Sequence, residues 1–582
     1  MFFVAISIGS LPTAPVWLAS TTPFALPAQD SNGWTLINHS ADSRLIYVSS
    51  STGNDTTGNW VIGSAVTSGT ARNGLPSGVT PVATIAKART FLRAGYPDWI
   101  LLKTGDTFYE ILWSGPGGRS LSEPALISSY GSGARPILQP NPSDNGSIIG
   151  HNGSTVAAYI FHVGLEFYDD RKNPASSNFA HDGSGVYNGP EVSPCFWNDG
   201  GNYILFEDCF MHFMASGPTF QQVSGPAPAN IIIRRNVIVD MYEMTGRGQG
   251  IFTGGVNGMV IEENVFDHNA WNDAAGLAAS IYDHHLYLTR VYNTLVRRNL
   301  FLRAESLSVK CPSGDIDEAH DNAYDDNFFF EGEVGLNLGF QTAAHSNTPP
   351  GGGSAHNRIS ITNNVLSQID RDNPTGRGLG WGLDMTTVAN LSVTGNIFSD
   401  FTHVANNRFA IGLSSNGFAT ADSTDVLIKD NILYGIGTQN IILEPQASWA
   451  RIAVRSNAIQ DAGLAAQMQM VGGTGSFAAL TYAGQIYSAS NDANFGKVLT
   501  VAKTHAQWLT ASGETGSIVQ TISYPDPTRT LDSYVATLNG AWALADFYAA
   551  IRTQSKANWH PEWQAPAVNN YFRAGFGVAS IP

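Results

Sequence analysis

The chain is poor in charge. Only 13% of its 582 residues are Asp, Glu, Lys or Arg, against roughly 25% in an ordinary globular protein. A helical bundle with charged outer faces and a disordered polyelectrolyte are both excluded on that ground. Basic residues are the scarcer sign: 31 Lys and Arg stand against 47 acidic residues, a formal net charge of −16. Nucleic acid, which clustered cations must meet, is not an expected partner. Cysteine is nearly absent. Cys195, Cys209 and Cys311 permit one disulfide at most and have no C-x-x-C spacing, which argues against a disulfide scaffold and a structural zinc site. Long apolar runs are missing too, so no membrane span is expected. The first charge is Asp30. The apolar stretch before it, opening Met1-Phe2-Phe3-Val4, lacks a basic start and reads equally as a signal peptide or an extended N-terminal arm.

Glycine is abundant, at 60 residues, and Asn, Ser and Thr are frequent, a composition suited to a turn-rich, all-β surface. An element reading apolar-x-x-Asn-apolar-apolar recurs along the chain. Its asparagines are Asn236, Asn264, Asn299, Asn327, Asn364, Asn396, Asn431 and Asn457, and Cys209 holds the same place in an earlier copy. Successive asparagines are separated by 28, 35, 28, 37, 32, 35 and 26 residues, so constant strands are joined by loops of changing length. The short apolar runs around each Asn have strand patterning, not helical spacing. A solenoid of short parallel strands follows, with Asn at a corner: it tolerates left-handed backbone, and its amide can bond the neighbouring coil in a ladder.

This pattern predicts an N-terminal arm over 1–43, a parallel β-helix over 44–465 and a partly helical C-terminal cap over 466–582. An amphipathic helix over 83–95 is expected to close the first coil. Tyr47-Val-Ser-Ser-Ser-Thr-Gly-Asn-Asp, that helix, the strand Leu102-Lys-Thr-Gly-Asp and the Asn-bearing coils together resemble bacterial right-handed β-helix repeat proteins of the pectate-lyase-like superfamily. The resemblance covers residues 44–465. It implies an all-β, right-handed parallel β-helix acting on polysaccharide, secreted or at the cell surface or in a periplasm, as a monomer or homotrimer. The same fold carries lyases, hydrolases, epimerases and tailspikes.

Alternate strand residues face outward and form columns across coils. In Ile281-Tyr-Asp-His-His-Leu-Tyr-Leu288, inward Leu286 and Leu288 would turn Asp283, His285 and Tyr287 outward and leave His284 inside or at a corner. One coil later, inward Leu307 and Val309 would turn Ser306, Ser308 and Lys310 outward, beside Glu305. Neighbouring coils offer Glu243, Arg247 and Gln249 on one side and Asn337, Trp381 and Asp384 on the other, and the acidic stretch from Asp315 to Asp321 would wall the groove. Glu305-Ser…Lys310 resembles the lysine-bearing strand of alginate and dermatan lyases. That resemblance implies removal of a uronate C5 proton by lysine, helped by an arginine from the following coil. Here the following coil, Gly335 to Phe340, has neither arginine nor histidine, so Arg247 or His285 would stand in.

Three readings follow. A β-elimination needs a base (Lys310 or His285), a proton donor (Tyr287) and neutralisation of the carboxylate. Arg247, or Ca²⁺ held by Glu243, Asp283 and Glu305, would supply the last. Glycoside hydrolysis would use a carboxylate pair, first Asp283 with Glu305, since adjacent coils are about 4.8 Å apart. A glycan-binding or tailspike-like solenoid would need only the surface, with aromatic residues such as Trp381 for stacking.

Overall fold

The apolar triplets around each asparagine become three-residue strands because the backbone turns sharply on both sides of them. The computed structural model describes residues 22–582 except 113, 142–145, 154–155, 314–318, 341–354, 403–407, 415–421, 461–466, 489–491 and 539–541. Most of the opening apolar stretch and residues 315–318 of the acidic stretch lie outside the described residues. A typical coil runs Thr219–Gln221, Ala229–Arg234 and Val237–Val239, and each strand pairs in parallel with its counterpart in the next coil. The third strands form a 14-stranded parallel sheet. The first and second share one sheet of 26 strands, because Gln249–Glu262 and His284–Arg297 run unbroken across the corner between them. The chain is a right-handed parallel β-helix.

The interior is a stack of apolar rungs, among them Phe266, Phe301 and Phe329 with ring centroids 5.1 and 5.0 Å apart. The asparagine ladder runs along one corner. Asn236 Nδ2 donates to Asn264 Oδ1 at 3.0 Å and to the Phe206 carbonyl at 3.0 Å, while its Oδ1 accepts from the Cys209 backbone N–H at 2.9 Å. The pattern repeats to Asn457, which donates to Gln485 Oε1 at 3.0 Å. Every side chain thus satisfies buried backbone groups that would otherwise cost on the order of 1–3 kcal/mol each. The left-handed backbone falls not on the asparagine but on the residue before it. Arg235, Glu263, Arg298, Asp326 and Asn363 have φ of 51, 55, 55, 53 and 59°. The turn therefore asks asparagine for its amide, and asks its neighbour for the strain.

Both expected ends are modified. The first helix is short, Ile85–Arg89, capped by Thr84, with Ile85 and Ala88 packed on the first rungs. Parallel pairing continues past residue 465 through Gln467–Val471, Leu480–Ala483 and Ile486–Ser488 to Ile518–Val519. The repeat disappears there because Gln485 replaces asparagine. Helix His505–Ser512 closes this end, burying Trp508 in the main core. Residues 525–582 do not cap the rod. Their helices Leu531–Val535, Leu544–Ile551 and Ala565–Gly575 lie along the outer face of the 14-stranded sheet, where Phe547, Ile551, Val568 and Phe572 pack on Val239, Leu302, Phe330 and Val365. This strap is pinned by Arg552 on Asp240 and Asp267 at 2.6 and 2.7 Å, and by Arg573 on Asp326 at 2.7 Å.

Candidate functional site: a groove across the first sheet

Among the described residues nothing straps the outward face formed by the first strands of the coils in the 26-stranded sheet. It carries a groove with a volume of about 1620 Å³. Parallel register sets its floor: Phe252, Tyr287, Lys310, Asn337, Asp384 and Gly412 are successive partners, one per coil. Glu243, Arg247, Gln249 and Trp381 also line the groove, so eight of the residues singled out from the sequence share one face.

Strand alternation fails at the corner preceding Tyr287. His285 points inward: fully buried, its Nε2 lies 2.9 Å from the Leu302 carbonyl and its Nδ1 3.1 Å from Asn269 Nδ2, beside Phe266 and Phe301. Burial lowers its pKa to about 4. It is a core histidine, and the expectation of a catalytic base there is corrected. His284 is the residue under the groove. Its ring stacks on Tyr287, centroids 5.6 Å apart, and its Nδ1 accepts weakly from the Leu307 N–H at 3.4 Å. Burial and the neighbouring cations of Lys310 and Arg377 keep it neutral. The corner fits two consecutive buried histidines because the strand begins there, so the two-residue period applies only from Leu286 onward.

Asp283 and Glu305 are likewise buried behind the floor and do not line the groove. Gln249 Nε2 donates to Asp283 Oδ1 at 3.2 Å and Ser280 Oγ to Asp283 Oδ2 at 3.1 Å, while the Ser280 N–H donates to Glu305. Glu305 Oε2 accepts from no donor. Burial raises both carboxyls, reinforced by Glu243 at Asp283 and by Asp283 at Glu305, so the pair holds a proton. This corrects two expectations. Asp283 and Glu305 are not an open pair of catalytic carboxylates. Nor do they hold Ca²⁺ with Glu243: among the described residues no group of three His, Cys, Asp or Glu is arranged for a metal ion.

Lys310 stands in the middle of the groove. Its Nζ lies 5.3 Å from the Tyr287 ring centroid and makes no ion pair among the described residues. Burial and the Arg377 guanidinium hold its pKa below the ordinary lysine range. Burial raises that of Tyr287, so its phenol keeps its proton. Farther along, Asn337 Nδ2 donates to Asp384 Oδ2 at 2.7 Å, and burial together with Glu444 pushes the Asp384 carboxyl up to about 6.

Several residues of this face escaped the reading of the sequence. Arg377 comes from a loop outside the repeat, donates to Ser306 Oγ at 2.5 Å and pairs with the buried Glu333. Nothing in its surroundings in sequence signals this. Arg377 supports the groove from behind, whereas Arg290 and Glu444 line it. Arg290 was legible, since it follows outward Thr289 on the strand that supplies Tyr287.

The fold and site thus define a parallel β-helix with a polar and aromatic groove across one sheet. No protein-family model matches the chain, and no curated protein matches it in sequence. Solved structures do resemble it. The complex structure of XylC with xylose is 12% identical, with a TM-score of 0.44, over 73% of this chain and 86% of that one. A GH136 lacto-N-biosidase from Eubacterium ramulus is 12% identical, with a TM-score of 0.36, over 82% and 68%. An alginate lyase from Paenibacillus sp. str. FPU-7 is 16% identical, with a TM-score of 0.33, over 56% and 93%. Likeness of this degree carries no argument about the reaction.

Proposed function

We propose that the protein is a polysaccharide lyase that cleaves a uronate-containing glycan by β-elimination. A polymer substrate implies action outside the cytoplasm, as a secreted, cell-surface or periplasmic enzyme. The observation that carries this reading is Lys310: a part-buried amine with no ion pair among the described residues, in the floor of the groove, with its pKa lowered toward the neutral form. A general base needs that poise. Lys310 takes the C5 proton, the released electron pair forms the C4–C5 double bond, and the C4–O bond to the leaving sugar breaks. Tyr287, whose phenol stays protonated, gives its proton to the leaving oxygen. Arg247 lies near enough to Tyr287 and Asp283 to act on their charge, and here it neutralises the uronate carboxylate.

One observation favours a second reading, glycoside hydrolysis. Asp384 is a carboxyl held partly protonated in the groove, as a general acid must be, and Glu444 lies beyond it. Two coils separate their strands, about 10 Å, near the upper end of an inverting pair. Incubation with uronate and neutral glycans separates the readings. Ultraviolet absorbance from an unsaturated uronate supports the lyase, and new reducing ends without that absorbance support the hydrolase. Binding with neither product would leave a glycan-binding solenoid.

A further inference from the structure

The groove changes chemistry halfway along. Its described cationic lining residues, Arg247, Arg290 and Lys310, belong to three successive coils and outnumber the two carboxyls of that half, Glu243 and Glu191, the latter paired with buried Lys172. From Asn337 toward the C-terminal end the described lining holds no cation; Asp384 and Glu444 stand there instead. Between them lie the part-exposed ring of Trp381 and the buried ring of Phe409. The Trp381 and Phe409 rings are stacked at 5.1 Å with an interplanar angle of 22°. Gly412 leaves room for it, since a Cβ at that position would lie 2.6 Å from the Phe409 ring. Next in register is Gln439, 8% exposed, whose Oε1 accepts no hydrogen bond.

A uronate carboxylate placed over this half would meet two carboxyl groups and no cation among the described lining. An uncharged sugar would meet an aromatic face for its C–H surface and an unused amide oxygen for a hydroxyl. The Trp381 strand is two coils beyond that of Lys310, about 10 Å, so one glycan chain reaches both. We infer that the groove is built for a heteroglycan, with a uronate over the Arg247–Lys310 half and uncharged sugar over the Trp381–Phe409 stack. Polymers made only of uronates are then poor ligands. This inference rests on the reading of the groove as a uronate-glycan site.

The test compares gellan and unsulfated chondroitin, which mix glucuronate with uncharged sugars, against polygalacturonate and polymannuronate. Turnover is followed by double-bond absorbance and binding by calorimetry, for the wild type, Trp381→Ala and Trp381→Phe. The expected result is that a mixed glycan is preferred by about tenfold or more. Trp381→Ala should weaken that glycan about tenfold through KM or Kd, and Trp381→Phe should restore most of the loss. Equal or better use of a homopolyuronate, an equal effect of Trp381→Ala on both classes, or no binding of either mixed glycan overturns the inference. If mixed glycans bind in this pattern but no double bond forms, the lyase reading fails while the inference stands.

Discussion

Two pairs of carboxylates, one under the strap and one behind the groove, are buried in opposite ways. Behind the strap, Asp240 and Asp267 are desolvated, yet Arg303 and Arg552 outweigh the burial of Asp267 and hold its pKa down at about 2. Asp240 is held below its ordinary value by His268 and Arg552, again against burial. Behind the groove, Asp283 and Glu305 are as inaccessible, but among the described residues no cation forms an ion pair with them, so burial prevails and both are raised. The cations differ in the same sense. Arg552 is committed to two carboxylates, whereas Lys310 meets none among the described residues. Around Arg552 that pairing gives the strap a fixed point on the 14-stranded sheet, although burial raises Asp326 and Glu331 elsewhere beneath it. Incomplete pairing leaves the first sheet with groups whose protons can move.

The contrast is most sharply broken at its two cations. Replacing Lys310 with Ala should lower turnover by about 10²–10⁴-fold, the usual weight of a general base, with the melting temperature unchanged. Replacing Arg552 with Ala should do the reverse. Removing one partner of a buried pair costs roughly 3–5 kcal/mol, and because Arg552 is 27% exposed the loss should fall at or below the lower end of that range. Denaturant unfolding measures it, and activity at temperatures well below melting should persist. Loss of activity in Arg552→Ala under those conditions would mean that strap and groove are coupled.

A smaller effect, of opposite sign on the two faces, is expected from pH. The Asp267 carboxyl is lowered in the fold, so its stabilisation is complete above the unfolded value of about 4 and is lost as pH falls through about 2. The Asp283–Glu305 pair is raised in the fold. Its contribution is therefore complete below about 4 and is lost as pH rises through the elevated folded range. Glu305→Gln should remove most of that alkaline loss while changing stability by about 1 kcal/mol or less near pH 5, whereas Asp267→Asn should destabilise at pH 7. Unfolding midpoints measured across pH for the three proteins check both signs. A Glu305→Gln protein as sensitive to alkali as the wild type would show that the pair is not the group responsible.

The repeat was legible because each Asn side chain bonds its own copy in the next coil, which forces the same residue back at each turn. Tyr287, Lys310, Asn337 and Asp384 were legible as one column because strand alternation governs them once the strand is under way. His285 was misread at the corner, where the alternation has not begun. Asp283 and Glu305 were misread because a sequence shows where a carboxyl lies along a strand but not whether the loop holding Ser280 covers it. The strap was read as a cap because its partners, such as Asp240 for Arg552, lie hundreds of residues away and follow no period.

The most direct test of Lys310 as the poised base is the pH dependence of kcat/KM for double-bond formation, in the wild type and in Lys310→Ala. The account predicts a rate that rises with pH along one ionisation below the ordinary lysine value of about 10.4, and near-complete loss of that rate in the variant. A Lys310→Ala protein that retains the wild-type rate and profile would contradict it.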